Sequence, residues 1–206
     1  MKLFGSPLSP FVRKVRAAIH EMGLDSRIAF TAVTMTPVAP DAVLNRANPL
    51  GKIPALELDD GSSLYDSPVI CEYLDGVHDR PRLLPPAGPA RWQALRRQAL
   101  ADGIMDAGVL VRYEIAVRPE ALRWDDWIAA QKGKIARALD SLEAEAGALG
   151  GGFDIGRIAI ACALGYLDFR FAADRWRDRR PALAAWFETA AKRPSISSTA
   201  PELAAT

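Results

Sequence analysis

Lys2-Leu3-Phe4-Gly5-Ser6-Pro7-Leu8-Ser9-Pro10-Phe11-Val12-Arg13-Lys14-Val15 passes from a strand pattern to a helix pattern within a few residues, and the rest of the fold is read outward from it. Lys2 to Phe4 reads as a short strand. Ser9 can cap a helix whose first position is Pro10, and Val12, Val15, Ile19 and Met22 recur on one face before Gly23 stops it. Arg27 to Val33 then reads as a second strand, so the chain opens β-α-β.

After an irregular, variable stretch, Pro54 to Leu58 and Ser63 to Tyr65 read as two more strands joined by the turn Asp59-Asp60-Gly61. A helix follows from Ser67 to about Asp75. The proline-rich run from His78 to Pro89 lacks periodicity and reads as a linker. Beyond it, helical patterns run from Ala90 to about Val117, Asp125 to about Ala146, Gly156 to about Arg170, and Pro181 to Lys192, the last ending before Pro194. Leu95, Ile104, Val111, Ile128, Ile135, Leu139, Leu142, Ile158, Leu164 and Trp186 supply the apolar faces of a bundle. The expected division is therefore 1–77 as an α+β unit, 78–89 as linker and 90–206 as an all-helical unit.

Half of the 206 residues are hydrophobic, enough for a sizeable core without disulfide or metal staples. With 26 Lys and Arg against 25 Asp and Glu, the balance argues against nucleic acid or an anionic membrane surface as partner and favours a small molecule. Cys71 and Cys162 each sit in an apolar helical segment, which fits reduced core thiols. No apolar run is long enough for a secretory or membrane-spanning segment. These features lead us to expect a soluble, cytoplasmic protein, and no metal ligand set is expected.

Three segments carry candidate chemistry. Ser9 stands where strand yields to helix, so its hydroxyl and the helix's free N–H groups point to one spot that favours an anion. A thiol held there, with an ordinary pKa of about 8.5, would be drawn toward thiolate. Ser6 is a rival for that position, but it lies too early for the helix to follow it directly. In Asn48-Pro49-Leu50-Gly51-Lys52-Ile53-Pro54-Ala55-Leu56, a cis Pro54 would turn the Ile53 backbone toward a peptide-like ligand, and Lys52 could hold a carboxylate. In Tyr65-Asp66-Ser67-Pro68, Ser67 can cap a helix and receive a second carboxylate, while Asp66 suits an ammonium group. Taken singly, each segment reads better as an ordinary cap or loop than as a functional site.

Together these segments, the β-α-β-β-β-α order and the helical second half resemble the glutathione S-transferase family. The likeness covers nearly the whole chain. Ser9-Pro10-Phe11 followed by Val12-Arg13-Lys14-Val15-Arg16 looks most like the cytosolic, Ser-type members found in bacteria and plants, with a tau-, theta- or zeta-like active-site segment. The resemblance implies a thioredoxin-like first domain and glutathione as co-substrate. It also implies a homodimer and a detoxifying transferase whose thiolate attacks a hydrophobic electrophile.

Residue by residue it implies that Ser9 donates to the glutathione sulfur and that Ile53, before Pro54, pairs with the cysteinyl backbone. Lys52 would reach the glycyl carboxylate, and Asp66 with Ser67 would hold the γ-glutamyl end. A glutathione-dependent isomerase, dehalogenase or peroxidase would share that site. A non-catalytic binding or regulatory protein could keep the same fold. The second-substrate pocket is expected from Leu8, Phe11, the Thr34 to Val43 segment, Met105 and Val109, with Asp102 and Asp106 able to approach the cleft. One departure stands out. The family's capping box in the second domain carries an acidic residue where this chain has Arg157, three positions after Asp154.

Overall fold

Strand β1 (Lys2–Gly5), helix α1 (Pro10–Met22) and strand β2 (Ala29–Ala32) form the opening unit in a computed structural model that describes residues 1–201. The last stretch of the expected 90–206 unit, residues 202–206, lies outside the described residues. Strand β2 pairs parallel with β1, β3 (Ala55–Glu57) pairs antiparallel with β1, and β4 (Ser63–Leu64) pairs antiparallel with β3. The result is a four-stranded mixed sheet in the order β2-β1-β3-β4, the thioredoxin-like arrangement. Helix α1 lies against it through Val12, Val15, Ile19 and Met22, all buried. Gly23 ends that helix at φ 69°, a left-handed conformation that a side chain would strain.

Two short helices escape sequence reading. The irregular stretch before β3 contains α2 (Ala42–Ala47), capped by Asp41, whose carboxylate accepts from the Val43 and Leu44 N–H groups at 2.8 Å each. Six residues are too few to display a helical period. Near the other end, Pro194 does not merely stop a helix; it opens α8 (Pro194–Ser197) from the first-turn position where its missing N–H is harmless.

Helix α3 (Ser67–Asp75) closes the first unit, and its end is stitched to the following segment. The buried Asp75 carboxylate accepts from the N–H groups of Leu83 at 2.6 Å and Leu84 at 3.3 Å. His78 accepts the Arg80 N–H on Nδ1 at 3.0 Å, which leaves the proton on Nε2, 3.4 Å from Asp75.

The second half is helical throughout: α4 (Gly88–Ala116), α5 (Asp125–Ala144), α6 (Ile155–Arg170) and α7 (Pro181–Ala190), with α8 after them. Helix α6 is buried along most of its length and packs on α4. Their close approach depends on Gly156, where an added Cβ would fall 2.6 Å from the Ala94 carbonyl oxygen. Of the apolar positions expected to build the bundle, Leu95, Ile128 and Trp186 are only half-buried, whereas Ile104, Val111, Leu139, Leu142, Ile158 and Leu164 are fully inside.

Arg157 proves to be a different cap rather than a defect. Asp154 still accepts the Arg157 N–H at 3.0 Å, and the Arg157 guanidinium pairs back onto the same carboxylate. It also donates to the carbonyls of Leu149 at 2.9 Å, Ala148 at 3.2 Å and Gly150 at 2.9 Å, closing the orphan end of the preceding helical turn. One side chain therefore ties the end of one segment to the start of the next.

Candidate active site

The loop from β1 to α1 and the loop before β3 form one wall of a cleft of about 480 Å³. Ser6, Leu8, Ser9, Pro10, Phe11, Met35, Thr36, Lys52 and Ile53 stand on that side. The opposite wall comes from α4 and the end of α6: Asp106, Val109, Arg112, Tyr113 and Ala116 from the first, Tyr166 and Arg170 from the second. Cavities of about 250 and 370 Å³ elsewhere among the described residues are smaller and contain none of these groups.

Ser9 is the N-cap of α1, with extended backbone and Pro10 immediately after it. Its Oγ accepts the Val12 N–H at 3.4 Å, a long bond that leaves the hydroxyl proton free to donate into the cleft. Ser6 lines the same cleft, but its Oγ accepts from Leu8 N–H at 3.4 Å and it caps no helix. Lys52 is exposed at the rim, and the Ile53–Pro54 peptide is cis. Pro54 itself is buried behind Ile53, one residue before β3 begins.

A residue passed over in the sequence holds this loop in place. Asn48 is 1 % exposed; its Nδ2 donates to the Lys52 carbonyl at 2.8 Å and its Oδ1 accepts the Leu50 N–H at 3.0 Å. An Asn leading into Pro-Leu-Gly was the available signal, because such side chains complete turns by bonding to nearby backbone.

At α3 the cap falls one residue earlier than expected. Asp66 occupies the N-cap position, without a side-chain cap bond, and Ser67 is the first helical residue, 1 % exposed. The flanking Pro68 fits the second position of a helix as well as the first, which is why the boundary slipped. The first-turn N–H groups of Ser67 and Val69 have no partner inside the helix. Neither Asp66 nor Ser67 lines the cleft itself.

Asp66 does share an electrostatic neighbourhood with Asp102 of α4. Lys14 of α1, fully buried, places its Nζ 2.7 Å from both Asp102 carboxylate oxygens, so α1 and α4 are joined by an ion pair. Burial pushes the Asp102 carboxyl up, the Lys14 ammonium opposes the rise, and the Asp66 charge adds to it. Asp102 is thus matched by Lys14, while the exposed Asp66 carboxylate at the start of α3 has no ion-pair partner among the described residues.

On the helical wall, Val109 and Asp106 reach the cleft as expected. Met105 does not: it is 0 % exposed and belongs to the core, because it points toward the bundle from the neighbouring face of α4. Sequence reading missed Arg112, Tyr113, Tyr166 and Arg170. Arg112 and Tyr113 extend the stripe of Asp106 and Val109 by one turn, and Tyr166 and Arg170 are themselves one turn apart, so the helical period was the signal. Burial pushes the Tyr166 phenol up to about 12, which keeps it a protonated donor at neutral pH.

Neither cysteine is a candidate nucleophile. Burial pushes the Cys71 thiol up to about 12 and the Cys162 thiol to about 11, and both are free and buried. Among the described residues no cluster of His, Cys, Asp and Glu is arranged to hold a metal, and no helix is long and apolar enough to cross a membrane.

Residues 3–82 match the glutathione S-transferase N-terminal domain, and residues 125–189 match the glutathione S-transferase C-terminal domain. The chain is 40 % identical over 207 residues to the uncharacterized GST-like protein YibF of Escherichia coli, covering 98 % of each. The chain belongs to the glutathione S-transferase family. Among solved structures, this transferase-family chain is similar to a glutathione transferase family member from Pseudomonas fluorescens with bound glutathione. The two share 53 % identity with a TM-score of 0.96, over 98 % of this chain and 99 % of that one. It is also similar to a structure from the same species with bound S-(propanoic acid)-glutathione, at 50 % identity and a TM-score of 0.92, over 98 % and 100 % of the two chains.

Proposed function

We propose that the protein is a cytoplasmic glutathione transferase of the detoxifying kind, which binds glutathione along the first wall of the cleft and ionises its thiol beside Ser9. The observation that carries this reading is that Ser9, Lys52 and Ile53, distant in sequence, line one cleft with the helix end of α1 between them. The bound glutathione in the Pseudomonas fluorescens relative supports it. In this reading Ser9 donates to the sulfur, Ile53 pairs with the cysteinyl backbone and Lys52 meets the glycyl carboxylate. The Ser67 N–H receives the γ-glutamyl carboxylate, and Asp66 faces its ammonium. The thiolate then attacks an electrophile held by Leu8, Phe11 and Val109. Two free cysteines buried in the core suit the reducing cytoplasm.

Lys52→Ala should raise the apparent KM for glutathione by about 3- to 5-fold while kcat changes little, since an exposed rim cation contributes to ground state and transition state alike. Steady-state kinetics with varied glutathione checks this; an unchanged KM with a reduced kcat would remove Lys52 from the carboxylate site.

The same reading places the protein as a homodimer, with the first domain of one chain against the second domain of its partner. Val69 and Tyr73 stand one turn apart on α3, 45 % and 37 % exposed, and Leu50 and Trp92 are each 68 % exposed. The Arg91–Glu72 ion pair at 2.6 Å sets the start of α4 beside them. An apolar face of this kind is what a partner would cover. Sedimentation should give a dimer, with Trp92→Glu shifting it toward monomer; a monomeric wild type at working concentration contradicts the assignment.

A further inference from the structure

The half of the cleft opposite Ser9 is not simply apolar. Arg112 from α4 and Arg170 from α6 both line it, near enough for the Arg112 charge to be felt by Arg170 and for both charges to be felt by Tyr166. Several other arginines at the core's edge are matched by carboxylates, while the buried Arg13 of α1 meets the Ile196 carbonyl instead. Arg97 meets Glu145, Arg177 meets Asp168, Arg180 meets Asp140 and Arg193 meets Glu21. Arg112 and Arg170 have no such partner: among the described residues neither forms an ion pair, and Asp106 in the same cleft is paired with neither. The Arg170 Nε is buried without any hydrogen-bond partner, and its guanidinium lies 4.1 Å from the centroid of the Phe169 ring.

Two guanidinium groups held together without a counter-ion repel each other. Burial and the Arg112 charge accordingly draw the Arg170 pKa down from its ordinary value. A neutral, wholly apolar electrophile filling this half would strip water from both charges and return nothing. A carboxylate would relieve the repulsion and could accept from both forks.

We propose that Arg112 and Arg170 form a carboxylate-recognition site for the second substrate, and that this substrate is an α,β-unsaturated carboxylic acid. The inference rests on the glutathione reading of the first wall. Conjugate addition is favoured over displacement at a halogenated acid because only the former builds charge at the carboxylate. The thiol proton leaves to solvent as the thiolate forms. A sulfur lone pair then makes the new S–C bond at the β-carbon, and the π pair of the double bond moves to the α-carbon and into the carboxylate as an enediolate. That carbon finally takes a proton from water. The net change is addition of the thiol across the double bond, with no oxidant or reductant. Cations that meet the growing negative charge stabilise the transition state more than the ground state. The neutral phenols of Tyr113 and Tyr166 stand beside them as further donors.

Acrylate and acrylamide test the proposal, because they share a skeleton and differ in charge. With each rate divided by its uncatalysed rate, the wild type should accelerate acrylate about 10-fold more than acrylamide. Arg170→Gln and Arg112→Gln should abolish that preference with the glutathione KM kept, the acrylate acceleration falling further than the acrylamide one, and Arg170→Lys should restore part of it. Equal acceleration of the two by the wild type, or a preference that survives both substitutions, overturns the proposal, as does a rise in glutathione KM without loss of acrylate selectivity. Calorimetry with S-(2-carboxyethyl)glutathione and its amide repeats the comparison without turnover; tighter binding of the acid that Arg170→Gln removes supports the site. If glutathione binds and both adducts bind equally, the carboxylate site alone falls. If neither glutathione nor adduct binds, the glutathione reading falls and the proposal with it.

Discussion

Ser9→Ala lowers kcat/KM for glutathione conjugation by roughly 10²–10³-fold, the range found when a donor to a developing or resident anion is removed. The hydroxyl stands at the N-terminus of α1 and accepts only one long bond, from Val12 N–H at 3.4 Å, so its proton is available to a sulfur in the cleft. Without it the thiol keeps only the helix end to favour ionisation, and less thiolate is present at neutral pH. The fold survives, since replacing a Ser N-cap costs about 1 kcal/mol, a small drop in Tm. Ser6→Ala is the matched control: Ser6 lines the same cleft but caps nothing, and its loss should change kcat/KM by less than about 3-fold. A large loss in the Ser6 variant with little in the Ser9 variant would exchange their roles.

Asp102→Ala destabilises the protein by about 3–5 kcal/mol in urea unfolding, the usual consequence of removing one member of a buried ion pair. The reason is what stays behind. Lys14 has no exposed side-chain surface, both Asp102 oxygens lie 2.7 Å from its Nζ, and its removal from water is tolerable only while that carboxylate is present. The pair joins α1, which carries Ser9, to α4, which forms the far wall of the cleft. Its loss therefore loosens the cleft as well as the core. The double variant Lys14→Met, Asp102→Leu should return to within about 1 kcal/mol of wild type, because two apolar groups of similar volume need no desolvation of charge. A loss below about 1 kcal/mol for Asp102→Ala alone would reduce this pair to the standing of a surface bridge.

The fold was legible where local signals agree with tertiary need. Helix α1 has a cap, a Pro at its first position, a regular apolar face and a Gly stop, and all four fall where the sequence places them. Helices α2 and α8 were not legible, because their six and four residues are shorter than the pattern used to detect them. The α3 cap was displaced by one residue, since Asp66 and Ser67 are both competent caps before a Pro. The cleft divides in the same way. Its first wall is written in turn and cap chemistry that local sequence displays, and Ser9, Lys52 and Ile53 meet there.

The second wall depends on the angle between α4 and α6, which no local pattern specifies. Arg112 and Arg170 read as surface charges until packing brings them together, while Met105 reads as a pocket residue until packing turns it inward. Asn48 was hidden for another reason. Its burial follows from the loop it organises, and an isolated Asn beside Pro resembles any turn.

The central claim is that Ser9 stabilises glutathione as thiolate. Ultraviolet difference spectra of the glutathione complex, followed against pH, measure the ionisation of the bound thiol directly. The wild-type complex should show thiolate absorption with a pKa at least about one unit below the ~8.5 of a free thiol, a preference of roughly 1.4 kcal/mol per unit. In Ser9→Ala that pKa should move back toward the free value while glutathione still binds. An equally depressed pKa in the two proteins would contradict the assignment of Ser9.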